Sequence, residues 1–244
     1  MTSWRWRLAR EAAWLAVVRA WPVALGVASY GVVFGILARQ TGLSGAQSLL
    51  MSAAVFAGSS QFVALELWGM PLPVFTIVVT TLVVNLRHVL MGAALAPHLE
   101  GMPRGGRWLA VFFVADENWA LTMAALAQRP RAGAEFAAGY LVGGGLLFYL
   151  SWLASTWAGL ACGGMVRDPA AWGLDFAFTA AFIALLVLFW RGRGDLLPWL
   201  VAAVVALMAS RLIPGKWYIL LGGLAGSLAG AFSPREPDHG EKRS

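Results

Sequence analysis

Between residues 21 and 232 the sequence is a succession of apolar runs of about 20 residues, each parted from the next by a short polar break. Nothing else constrains the fold as much. A bilayer offers the backbone no water, so such runs close their hydrogen bonds internally, as helices. With 59% hydrophobic and 12% charged residues among 244, no stretch is left for a separate soluble domain. The expected fold is an all-α integral membrane protein, a polytopic helical bundle of seven to eight spans.

Windows of apolar residues place the spans near 21–38, 46–67, 72–96, 108–126, 136–161, 173–190, 196–210 and 217–232, the last two being short. Trp21, Trp68, Trp108, Trp190, Trp199 and Trp217 fall at or near span ends, where indole rings favour the headgroup layer. Residues 1–20 carry Arg5, Arg7, Arg10 and Arg19, with Trp4, Leu8, Ala12 and Leu15 on one stripe, the pattern of an interfacial helix on the cytoplasmic side. The apolar run after Trp21 continues without a cleavage signature, so this start is expected to be retained. Residues 21–232 are expected to form a single membrane domain, and 233–244, rich in proline and charge, are expected to be disordered.

Lys and Arg number 18. Arg87 lies inside a span. With eight spans, eleven of the others flank the side that holds both termini and six the opposite side, so both termini are expected in the cytoplasm. This clustering at span ends is topological and gives no nucleic-acid face. A single Cys162 and the scattered His88, His98 and His239 provide no metal spacing. There is no phosphate-binding G-x-x-x-x-G-K-[ST] loop, so no ATPase is encoded, and no nucleophile elbow or HExxH. Neither enzyme activity nor a cofactor is expected.

The third run carries Asn85-Leu86-Arg87-His88 in its middle. An Arg at a helix centre costs about 2.5 to 3.5 kcal/mol on insertion scales, so such residues face a bundle interior and mark a substrate or ion path. On a helix Asn85 and His88 share a face while Arg87 points away, so either Arg87 or the Asn85/His88 pair addresses a different helix, or the helix is distorted. Arg87 suits a substrate carboxylate or an acidic partner, and His88 a proton; a structural salt bridge with a satisfied histidine is the other reading. The fourth run contains Asp116 and Glu117, adjacent and therefore on different faces: one could pair with Arg87 while the other meets a cation or proton, unless the pair sits at a wet mouth.

In the second run Gly58, Ser59, Ser60 and Gln61 put a small polar turn at mid-membrane, where a discontinuous helix is as reasonable as a continuous one packed through small residues. In a discontinuous helix these side chains would bond the freed backbone groups. Gly31 and Gly35, Gly139 and Gly143, and Gly222, Gly226 and Gly230 repeat at GxxxG spacing, a helix-packing device.

At these residues the chain resembles the AzlC family, the large subunit of two-component branched-chain amino acid exporters. The likeness rests on Asn85-Leu86-Arg87-His88 with the trailing Ala96-Pro97-His98-Leu99, on Phe56 to Phe62, on Asp116-Glu117, and on Gly173-Leu174-Asp175-Phe176-Ala177. The resemblance implies an inner-membrane permease that exports valine, leucine, isoleucine or similar amino acids together with a small AzlD-type membrane subunit. The residues expected to bind substrate are Gly58, Ser59, Ser60, Gln61, Asn85, Arg87, Asp116 and Glu117, with His88 or Glu117 carrying a coupling proton. Val55, Phe56 and Phe62 would select the side chain. A pore for a small solute and a non-transporting assembly subunit are the competing readings.

Overall fold

The computed structural model describes residues 3–165, 192–213 and 217–232, together with Ile183 and Val187. Apart from those two residues the expected sixth span, with Asp175, lies outside the described residues, as does the C-terminal tail. Every regular element described is a helix: α1 Ser3–Gln40, α2 Gly45–Ala54, α3 Gly58–Glu66, α4 Val74–Leu95, α5 Arg104–Phe112, α6 Asp116–Ala127, α7 Ala134–Cys162, α8 Leu196–Leu212 and α9 Trp217–Phe232. Among the described residues, three helices are long and apolar enough to cross a membrane, beginning at Arg7, Val74 and Ala134. A fourth span results if α5 and α6, bent by 120°, count as one. The seventh and eighth expected spans appear as the shorter apolar helices α8 and α9.

The chain divides into two compact units, residues 1–73 with 85–177 and residues 74–84 with 178–244. In the first, α1 and α7 pack along most of their length through small residues. Gly139 lies against the backbone of Ala9, Gly143 against Ala13, Gly31 against Ser155, and Gly35 against Thr156 and Gly159. Contact positions rise together along both helices, so the two run parallel. The first two GxxxG pairs are thus packing faces, as their spacing implied. The third, on α9, meets Ala202, Ala206 and Pro198 of α8 within the second unit. Between two parallel spans the chain crosses an odd number of times. With α4 as one crossing, the broken elements α2/α3 and α5/α6 either both cross or both turn back.

Three departures from the sequence reading concern helix boundaries. α1 runs unbroken past Trp21, where the membrane domain was expected to begin, with Pro22 inside it. It ends at Gln40, in a turn where Gly42 has a φ of +87° that suits glycine; the Leu43 amide returns to the Ala38 carbonyl at 3.1 Å. At the far end of the α1/α7 pair, Arg39 Nη1 donates to the Leu160 carbonyl at 3.1 Å, a cation on the last turn of α7 where the helix dipole favours it.

The second run is broken, but three residues earlier than its polar turn suggested. Val55, Phe56 and Ala57 leave the helix, and Gly58 to Gln61 form the first turn of α3. Phe56 explains the shift: its ring packs with Phe112, Phe113 and Tyr149. The Tyr149 hydroxyl meanwhile donates to the Ala53 carbonyl at 3.0 Å, taking a group that the break sets free.

The fourth run bends at Phe113, Val114 and Ala115 rather than continuing through the acidic pair. The buried Asn118 holds the bend: its Nδ2 donates to the Phe113 carbonyl at 2.8 Å and the Leu141 carbonyl at 2.7 Å. Room for that amide comes from Gly144 and Gly145 on α7, where added β-carbons would lie 2.5 Å from Asn118 Oδ1 and 2.9 Å from Nδ2. Asn118→Leu leaves the Phe113 carbonyl at the bend unpaired and removes the second bond of the Leu141 carbonyl, which keeps its place in the ladder of α7. It is expected to lower stability by about 1 to 2 kcal/mol, read as a drop in melting temperature in detergent.

Candidate functional site

Arg87 projects from the half of α4 that belongs to the first unit and joins two helix beginnings. Its Nη1 lies 2.6 Å from Asp116 Oδ2, and its Nη2 donates to Ser59 Oγ. Ser59 is in the first turn of α3, and Asp116 is the first residue of α6. Each of these helices starts after a short non-helical segment, and neither start, Ala57 or Ala115, has a side-chain cap. The guanidinium therefore sits where two helix amino ends, each carrying a partial positive charge, come close. Asp116 compensates that charge. The pair is only partly wet, with side-chain exposures of 31% for Arg87 and 11% for Asp116.

Two residues earlier on α4, Asn85 Oδ1 accepts from Ser60 Oγ at 2.7 Å. Asn85 and Arg87 thus address adjacent serines of one helix, although their backbone positions diverge. The sequence allowed either different helices for the two or a distorted α4: α4 is regular, and Arg87 reaches α6 through Asp116 while its long side chain also swings round to α3 beside Asn85. His88 keeps Nδ1 3.2 Å from its own helix's Asn85 carbonyl. Glu117, half-buried, follows Asp116 in the first turn of α6.

The serines do not bond freed backbone groups, as their sequence context suggested: Ser59 and Ser60 are engaged by Arg87 and Asn85. Among the described residues the fully buried Gln61 finds no partner for its amide oxygen or nitrogen, and the buried Arg87 Nε finds none either. Gly58 is a packing position, since a β-carbon there would lie 3.1 Å from the Trp152 indole. Of the expected site residues, Ser59, Arg87 and Asp116 form one connected chain and Ser60 with Asn85 a second, beside which stand His88 and Glu117.

Sequence reasoning missed the residues that hold the breaks open. Tyr149 and Trp152 on α7 look like ordinary apolar filling until the first is seen on Ala53 and the second on Gly58. Trp152 also meets Phe34 and Phe62, and Thr156 Oγ1 lies 3.2 Å from Ser52 Oγ. The one available signal was Asn118, an amide directly after two acids at the head of an apolar helix.

Sequence comparison places this geometry among known proteins. The family described as AzlC protein matches residues 22–166, more than half of the chain and the segment that holds every site residue. A membrane protein of Archaeoglobus fulgidus is 27% identical over 180 residues, covering 72% of this chain and 75% of that one. The Bacillus subtilis branched-chain amino acid transport protein AzlC is 28% identical over 170 residues, covering 69% of this chain and 64% of the relative, just under two thirds of its length. The Escherichia coli inner membrane protein YgaZ is 26% identical over 192 residues, 77% and 76% of the two chains. No solved structure matches. With its helical membrane architecture and the family match across both broken helices and the Arg87 cluster, the chain belongs to the AzlC family.

Proposed function

We propose that this chain is the permease of a secondary exporter of branched-chain and similar hydrophobic amino acids. In this reading it lies in the inner membrane with both termini in the cytoplasm, works with a small AzlD-type membrane subunit, and is driven by protons. The observation that carries the reading is the bridge of Arg87 between Ser59 and Asp116 at two uncapped helix amino ends. The name of the Bacillus subtilis relative supports the cargo class.

A zwitterionic amino acid presents one carboxylate and one ammonium, and the cluster offers a counterpart to each. The guanidinium fork matches a carboxylate in two-point geometry, and helix amino ends favour the same charge. Asp116 occupies that fork without substrate, so the incoming carboxylate displaces it. The freed Asp116, or Glu117 beside it, then meets the ammonium. Val55, Phe56 and Phe62 would contact the side chain; one methylene discriminates by only about 1 to 3 kcal/mol in an apolar pocket, so selectivity among Val, Leu, Ile and Met is loose. His88 or Glu117 would carry the coupling proton.

The assembly reading loses its motive, because the glycine faces it would use are covered within the chain by α1, α7 and α8. The test is efflux of preloaded labelled valine, leucine and methionine from cells with this chain alone or with its small subunit, with and without an uncoupler. Efflux that needs the partner and collapses with the proton gradient is the expected result. Unchanged amino acid pools in every arm would end the exporter reading.

A further inference from the structure

A second concave site lies away from the Arg87 cluster, at the turn joining α6 to α7. It encloses about 820 Å3 and is lined by Leu8, Arg129, Pro130, Arg131, Glu135 and Phe136 among others, a volume within the usual range of ligand pockets. Two exposed arginines overhang an apolar floor. Arg129 is held there, its guanidinium carbon 4.8 Å from the centre of the buried Phe136 ring. Arg19 Nη1 donates to Gln128 Oε1 at 3.2 Å, bringing a third cation to the residue before this turn.

The depth of the site follows from helix length. α7 has 29 residues, about 43 Å at 1.5 Å per residue, which matches a bilayer of 40 to 45 Å including its headgroups and exceeds the 30 Å hydrocarbon core. Its amino end, where the groove opens, therefore lies in the headgroup layer. Leu8 at the start of α1 belongs to the same end, because α1 and α7 are parallel.

We propose that this groove binds the headgroup of an anionic phospholipid. Arg129 and Arg131 hold the phosphate, and an acyl chain lies along Leu8 and Phe136. Basic pockets between membrane helices on the cytoplasmic side take such headgroups. Glu135 lowers the net positive charge of the lining to one, since two arginines face one carboxylate. This fits a singly charged phosphodiester better than a multiply charged one.

The test is native mass spectrometry of the full chain, titrated with short-chain phosphatidylglycerol, short-chain phosphatidylcholine or inorganic phosphate. Wild type is expected to show a saturable phosphatidylglycerol adduct that R129Q/R131Q weakens about tenfold or more. R104Q/R107Q, which removes the same charge from exposed positions on α5, should change it less than about twofold. Equal affinity in wild type and R129Q/R131Q overturns the site, as does an equal loss in the α5 control. Phosphatidylcholine binding as tightly as phosphatidylglycerol, or inorganic phosphate saturating in the same range, overturns the anionic-lipid assignment. Should R129Q/R131Q fail to fold, R131Q alone keeps the Arg129–Phe136 contact and is expected to lose about threefold, with no loss overturning the proposal.

Discussion

Arg87→Ala is expected to abolish amino acid efflux while the protein still inserts in the membrane. Two effects combine in that variant. Losing a charge-assisted contact to a substrate carboxylate costs at least about 2 kcal/mol, a fall in flux of about 30-fold or more. Stability also falls by about 2 to 3 kcal/mol, because Asp116, with 11% of its side chain exposed, loses its counter-ion. That is less than breaking a fully buried pair, since Arg87 keeps 31% of its side chain exposed. R87Q/D116N separates the two effects: it removes both charges, so melting in detergent should recover toward wild type while flux stays low. R87K keeps the charge but not the fork that reaches both Ser59 and Asp116, and flux should remain reduced. Normal efflux from a well-inserted Arg87→Ala protein would remove Arg87 from the substrate path.

Gly159→Val is expected to be the most destabilising single change outside that cluster. The glycine lies against the Val32 carbonyl and 3.0 Å separates its would-be β-carbon from Gly35 Cα, so a side chain there meets backbone and cannot be relieved by a neighbour's rotamer. Separating α1 from α7 at that point costs more than overpacking alone, which is about 1 to 3 kcal/mol. The packing contacts that hold membrane helices together are also lost. Gly143→Val, against Ala13, should behave alike. The contrast is Gly26 on the same α1, with nothing within 4 Å of an added β-carbon: Gly26→Ala should be neutral or gain about 0.5 to 1 kcal/mol from helix propensity. Thermal melting with size-exclusion recovery reads all three. A Gly159→Val protein that melts with wild type would mean that α1 and α7 do not touch there.

Both results turn on residues that the sequence displayed openly but whose partners it could not name. That Arg87 needs a counter-ion follows from the cost of charge in hydrocarbon, and the adjacent Asp116 and Glu117 were the candidates, with the choice between them open. That Ser59 would take the other nitrogen was hidden, because Asn85 and Arg87 diverge on an ideal helix and only a long flexible side chain brings both to α3. Spacing alone marked Gly35, Gly139 and Gly143 as packing positions. The choice of α7 as the partner of α1, and the parallel sense of the pair, depend on contacts between residues more than a hundred positions apart.

By itself the sequence determined what local chemistry can enforce: an all-helical membrane chain, the polar positions within it, and the family to which those positions belong. Apolar length and the absence of water for the backbone suffice for that. The tertiary structure decided where the helices break. Val55 to Ala57 and Phe113 to Ala115 are apolar and carry no breaker, yet the first leave the helix as Tyr149 takes the freed Ala53 carbonyl from across the bundle, and the second as Asn118 ties the nearby Phe113 carbonyl to that of Leu141 on α7. A hydrogen bond to a distant side chain outweighs local propensity once both groups are out of water, and no window of neighbouring residues records it.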